Sequence, residues 1–198
     1  MPSTSTTSSA FLALFWGGLA CGVFDITQAC VGYGIQNHLP PQRIFQSVAS
    51  GLLGAKAFQG GAKTAALGLA LHFFIAFSWA AGYYVAGRQI AFLTERPVIA
   101  GLLYGEFVWL VMTLVVLPLS AVHRWPPRFD PASVITGPIG HTVLVGLPIA
   151  LAVWIRFIQK SFLAGDLSIE TVLLLGAIGG RLTGVLGGSL IALPALLH

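Results

Sequence analysis

The chain has 198 residues, 56% of them hydrophobic and 8% charged, with a formal net charge of +4 and a mean hydropathy of +0.87. A soluble domain carries about 25% charged residues, so this chain cannot cover a water-facing surface, and its hydrophobicity excludes disorder as well. The ten Lys and Arg residues are scattered between apolar runs rather than gathered into a stripe, which speaks against a nucleic-acid module and its nucleic-acid partner.

What remains is an all-α integral membrane helical bundle with the lipid bilayer as its solvent. Residues 1–10 form a polar Ser/Thr-rich leader without Lys or Arg, so they lack the basic start of a secretory signal. Gly18-Leu19-Ala20-Cys21 lacks the apolar residue that a lipoprotein cleavage box carries three positions before its cysteine. The first apolar run is therefore expected to be retained as a span. Cys21 and Cys30 are nine residues apart on that helix. At about 100° per residue they point to opposite faces, so they cannot pair; both read as small apolar fillers.

Crossing the hydrocarbon core takes about 20 mostly apolar residues. Four segments qualify within a membrane domain over residues 11–160. The first is Phe11–Gly34, with the leader able to cap it. An amphipathic stretch follows over 35–63. Pro40-Pro41, Arg43, Gln46, Lys56, Gln59 and Lys63 alternate there with Ile44, Val48, Leu52, Leu53 and Phe58. This pattern predicts an interfacial or short re-entrant helix with its cations at headgroup level. The second span is Thr64–Gly87, ended by Arg88. The third is Pro97–Leu119, with Pro97 suited to a first helical turn. Trp125-Pro126-Pro127-Arg128 is a stiff interfacial turn. The fourth span is Ser133–Phe157, and Pro148 inside it predicts a kink.

Residues 161–198 hold a further apolar segment, Leu167–Leu197. Gly176, Gly180, Gly184 and Gly188 recur there at intervals of four. Such a ladder lets a second helix approach closely, so a fifth packed, Gly-rich helix is favoured over a tail lying on the membrane. In a span, Arg181 must face protein, water or an acidic partner. The basic residues nearly balance across the two membrane sides, and no orientation follows from them.

Four ionisable side chains fall inside the spans: Asp25, His72, Glu106 and His141. Counted from the span ends, Asp25, His72 and His141 lie at about 12–14 Å from one membrane side, and Glu106 falls within about a turn of that level. The face of Asp25 carries Gly18, Cys21, Gly22, Ala29 and Gly32. The face of His72 carries Ala65, Gly68, Ala76, Trp79 and Tyr83. Small residues with a few amphipathic aromatics mark helix–helix contacts, so both side chains are expected to point inward. His141 shares its face with Gly137, Val145 and Pro148, and Glu106 with Leu102, Leu110, Thr113 and Leu117. Gly101 and Gly105 form a second close-approach pair beside that of Gly18 and Gly22.

Intramembrane ionisable groups suggest function by default. Carboxylates and imidazoles at one level suit a proton, ion or small-solute pathway, since imidazole switches charge near neutral pH. A purely structural reading stands beside this: such groups also tie helices together, at about 0.6 kcal/mol per interhelical hydrogen bond. The chain is then an accessory subunit that recruits a partner helix through the glycine ladder. Haem held between His72 and His141, or a bound metal, is a third reading. No HxxxH or CxxC spacing supports it, so no cofactor is expected. With no phosphate loop, HExxH motif or Ser/His/Asp order, a soluble-type enzyme active site is disfavoured too.

Ile44-Phe45-Gln46-Ser47-Val48-Ala49-Ser50-Gly51-Leu52-Leu53-Gly54, then Phe58, Gly60-Gly61 and Leu71-His72-Phe73-Phe74, resemble a group of uncharacterised bacterial membrane proteins. Gly101-Leu102-Leu103-Tyr104-Gly105 and Leu117-Pro118-Leu119-Ser120-Ala121 extend the match. The His72 span with Gly82-Tyr83, the proline near the end of the third span and Gly140-His141 are similar, more loosely, to the YagU-like inner-membrane family. The resemblance covers about residues 40–157 and implies a multi-pass protein of a bacterial inner membrane. It carries over no catalytic or binding residue. The glycine ladder departs from the YagU pattern, which leaves a shared helix count open.

Overall fold

Backbone N–H and C=O groups find no water in a bilayer core, so apolar runs of spanning length must satisfy them internally as helices. A computed structural model describes residues 4–123 and 137–163 of the chain. Four helical stretches are long and apolar enough to cross a membrane: Phe11–Asn37, Gly61–Gly87, Pro97–Leu119 and Gly137–Phe157. No strand occurs among the described residues. The chain is thus an all-α, multi-pass membrane bundle.

The elements run α1 (Thr4–Asn37), α2 (Pro41–Leu53), a 3-10 turn (Gly54–Gln59), α3 (Gly61–Gly87), α4 (Ala91–Glu95) and α5 (Pro97–Val111). A π turn (Met112–Val116) and a short α6 (Leu117–Leu119) complete the third span. A second π turn (His141–Gly146) leads into α7 (Leu147–Leu163). All packing described below lies within the unit Met1–Phe157. The glycine ladder Gly176, Gly180, Gly184 and Gly188, and the Trp125–Arg128 turn, lie outside the described residues.

Helix α1 already begins at Thr4, inside the leader expected to precede it. Ser and Thr are poor helix formers, but an existing downstream helix extends at low cost because its nucleus is already made. Helix α1 ends at His38, whose φ of 53° is left-handed, and Pro40-Pro41 turns the chain into α2.

Large and small side chains divide by environment. Ala100 is 1% exposed, while Leu103, on the outer side of the same helix, is 60% exposed. The buried cluster is built mostly on small residues such as Ala13, Ala76, Ala80 and Ala150, with Ile149, Val153 and Tyr83 among the few large ones. Phe11, Trp16, Phe74 and Phe107 face outward, as expected where lipid tails are as apolar as any core.

Two tyrosines, Tyr83 buried and Tyr104 half-buried, tie the helices together. Tyr83 O–H donates to the Leu93 carbonyl at 2.8 Å, and Tyr104 O–H donates to the Trp79 carbonyl at 2.7 Å. Their rings meet edge to face at 4.8 Å. A phenol buried in an apolar seam must place its O–H, and here both find backbone oxygens.

Where a kink is expected at Pro148, the structure has a widened turn just before it. Proline lacks the N–H that would reach the carbonyl four residues back, here Leu144. That residue lies inside the π turn His141–Gly146. Pro118 stands in the same relation to Leu114, inside the π turn Met112–Val116. The wider turns accommodate both prolines without ending the helix.

Helix α2 packs along the start of α3. Gly68 makes this possible, because a Cβ there would fall on the Phe45 carbonyl. The buried face of α2 comprises Ile44, Gln46, Ala49 and Ser50. The Gly51 carbonyl at its far end accepts from Ala121 N at 2.8 Å. Helix α2 therefore bridges the end of the bundle where the first span ends, the second begins and the third ends.

Candidate functional site

Asp25 and His72 meet at the seam between α1 and α3. The close approach depends on Gly18 and Gly22. A Cβ on Gly18 would overlap the Phe77 ring, and one on Gly22 would lie 2.7 Å from Phe73 Cε1 and 3.3 Å from the Ala76 Cβ. These two glycines therefore form a groove that receives two aromatic rings of α3. His72, on the same stretch of α3, reaches the backbone of α1. Its Nε2 lies 2.9 Å from the Gly22 carbonyl oxygen. Its Nδ1 lies 4.0 Å from Asp25 Oδ2.

A carbonyl oxygen can only accept, so His72 Nε2 carries a hydrogen. In the neutral ring Nδ1 is then the acceptor nitrogen, and it faces the Asp25 carboxyl across 4.0 Å, beyond direct hydrogen-bond reach. The two side chains are 12% and 24% exposed.

Glu106 and His141 are placed at the seam between the third and fourth spans. Glu106 Oε2 accepts from Thr142 Oγ1 at 3.5 Å, the outer limit of a hydrogen bond. His141 turns back along its own helix, and its Nδ1 donates to the Gly137 carbonyl at 3.0 Å. The structure thus brings Asp25 to His72 and Glu106 to Thr142. Asp25 and His72 lie at the seam of the first two spans, and Glu106 and His141 at that of the third and fourth. Among the described residues, no three His, Cys, Asp or Glu side chains converge as a metal-binding group. With Nε2 of His72 on Gly22 and Nδ1 of His141 on Gly137, each imidazole already gives one nitrogen to backbone.

The second seam is tighter than the first. A Cβ on Gly105 would fall on the His141 carbonyl and 2.6 Å from Thr142 Cα. One on Gly101 would lie 2.9 Å from the Ala150 Cβ. One on Gly146 would overlap the Gly101 carbonyl and lie 2.7 Å from Gly105 Cα. Here backbone rests on backbone. Gly101 and Gly105 were legible as a close-approach pair; their partner Gly146 was not singled out. Gln28 was missed as well. Its side-chain amide lies where a Cβ of Gly140 would stand, at 2.6–2.9 Å, so α1 places a polar group against the fourth span one turn beyond Asp25. The i, i+3 spacing of Asp25 and Gln28 was the available signal. Comparison with known protein families, curated proteins and solved structures finds no match for the chain.

Proposed function

We propose that this multi-pass membrane protein handles a proton, an ion or a small proton-coupled solute through the Asp25–His72 pair, in the inner membrane of a bacterium. The observation that carries the reading is the tautomer lock. Gly22 accepts the hydrogen of Nε2, so a proton taken up by the neutral ring goes to Nδ1, the nitrogen that faces Asp25 at 4.0 Å. That position joins two spanning helices, so a change in protonation alters the force between them. Gln28 extends the polar side of α1 toward Gly140. The bacterial setting rests on the resemblance of residues 40–157 to bacterial inner-membrane proteins.

The test is flux. Purified protein in liposomes holding a pH-sensitive dye is challenged with a proton gradient, with and without a candidate solute. We expect flux that is lost in His72→Ala and in Asp25→Asn, with both variants still folded. Absence of flux in the unaltered protein under either gradient overturns the reading.

A second reading is favoured by the same hydrogen bond seen as a tie. The His72–Gly22 contact holds α1 to α3 whatever the charge. The chain is then an accessory subunit, with Gly176, Gly180, Gly184 and Gly188 recruiting a partner helix; neither reading calls for a nucleic-acid partner. Under it, Gly180→Leu or Gly184→Leu disperses a membrane complex while proton flux is nil throughout. Haem or metal binding ranks third, because no set of ligands converges among the described residues.

A further inference from the structure

The hairpin formed by α2, the 3-10 turn and the start of α3 carries three cations and no acid of its own. Residues 26–94 contain no Asp or Glu at all. Arg43, Lys56 and Lys63 are all exposed. Side-chain bonds from α2 tie the parts of the hairpin together. Arg43 Nη1 donates to the Phe58 carbonyl at 3.4 Å, and its guanidinium lies 4.5 Å over the Phe58 ring. Lys56 stands two residues before that ring. Gln46, 3% exposed, donates to the Gly61 carbonyl at 3.0 Å and to Thr64 Oγ1 at 3.3 Å. Those bonds bracket Lys63.

The surroundings decide what such a cluster meets. Leu52 and Leu53 at the far end of α2 are 62% and 38% exposed. The Gly51–Ala121 bond keeps that end of α2 against the end of the third span. An amphipathic helix with outward leucines and basic neighbours, fixed where spans enter and leave the membrane, lies at headgroup depth. An Arg fork on a hairpin that also carries two exposed Lys residues fits phosphate oxygens. Juxtamembrane cations are drawn to anionic lipid in this way.

We propose that this hairpin binds the phosphate headgroup of an anionic phospholipid through Arg43, Lys56 and Lys63, with Leu52 and Leu53 set among the acyl chains. The site is separate from the Asp25–His72 pair and does not depend on any flux through it.

The full-length protein in neutral detergent is titrated with phosphatidylglycerol or with phosphatidylcholine. Thermal stability and lipid retained in native mass spectrometry are read. We expect phosphatidylglycerol to be retained and to stabilise the protein, and added salt to weaken both effects. Replacing all three cations by Gln should lower apparent affinity about 100-fold, near fivefold for each charge. The single variants Lys56→Gln and Lys63→Gln alter only exposed side chains and give the fivefold step even if the triple variant folds poorly. Arg88→Gln, at the other end of α3, should leave the affinity unchanged. Four results overturn the proposal. One is equal retention of the two lipids, and a second is phosphatidylglycerol binding that survives all three substitutions. A third is glycerol phosphate alone matching the lipid, which assigns the site to a free anion. The fourth is stabilisation by an acidic peptide but not by phosphatidylglycerol, which assigns it to a protein partner.

Discussion

The seam between the first and second spans and the seam between the third and fourth are both built on glycine, yet different groups fill them. At the first, Gly18 and Gly22 receive the rings of Phe77 and Phe73. Rings are side-chain ends and can shift. At the other, Gly101, Gly105 and Gly146 bring one main chain against another, and a main chain in a helix cannot give way alone. The polar contacts differ in the same sense. The seam that retains some freedom carries the ionisable pair Asp25–His72. The rigid seam carries a long Thr142–Glu106 bond and a His141 that bonds only its own helix. The same residue type thus serves to fit a side chain in one place and to remove one in the other. A protonation change can be expressed as movement only where the packing is able to move.

Substitutions can break this contrast, beginning with the rigid seam. Gly105→Ala and Gly146→Ala each drive a methyl into backbone and should cost about 3 kcal/mol or more, the upper range for overpacking. The thermal midpoint in detergent reads it, and tolerance of either methyl would show that the two seams are alike. At the first seam, Gly22→Ala should cost about 1 kcal/mol, since the Phe73 ring can retreat. Pairing it with Phe73→Leu should recover most of that loss, and a double-mutant cycle with no coupling would contradict the ring-in-groove description. His72→Ala and Asp25→Asn should each cost about 0.6 kcal/mol, up to about 1.7, as for other interhelical bonds in membranes. Their double variant should lose less than the sum. Smallest of all, Thr142→Val should change stability by less than about 0.5 kcal/mol, because a 3.5 Å bond contributes little. A large loss there would move the more important polar contact to the second seam.

Much of the architecture was legible before any coordinates. Pro97–Leu119 was read with the bounds the structure has, the first two spans differ by three residues at one end, and the fourth ends at Phe157 as expected. Apolar length is a local property, and lipid leaves helix as the only choice. The inward direction of Asp25 and His72 was legible from the small residues sharing their faces. The partner of Glu106 was not, because Thr142 is an ordinary residue made relevant by proximity alone. The π turns were half legible: Pro118 and Pro148 mark where a carbonyl loses its donor, but not whether the helix bends or widens. The burial of Gln46 against Gly61 depends on α2 folding back onto α3, which no periodicity within α2 encodes.

By itself, the order of residues determined that this polypeptide dissolves in lipid, how many described helices can cross it, and which few ionisable groups must be dragged inside. Those follow from length, hydropathy and the cost of an unpaired backbone, which act on each segment separately. Only the packing of helices decided that Gly22 offers its carbonyl to His72, that Gly146 rather than a side chain meets Gly101 and Gly105, and that the four ionisable groups are shared between two seams. Such outcomes depend on rotation and register between helices, and these are set by contacts made across the bundle rather than along the chain.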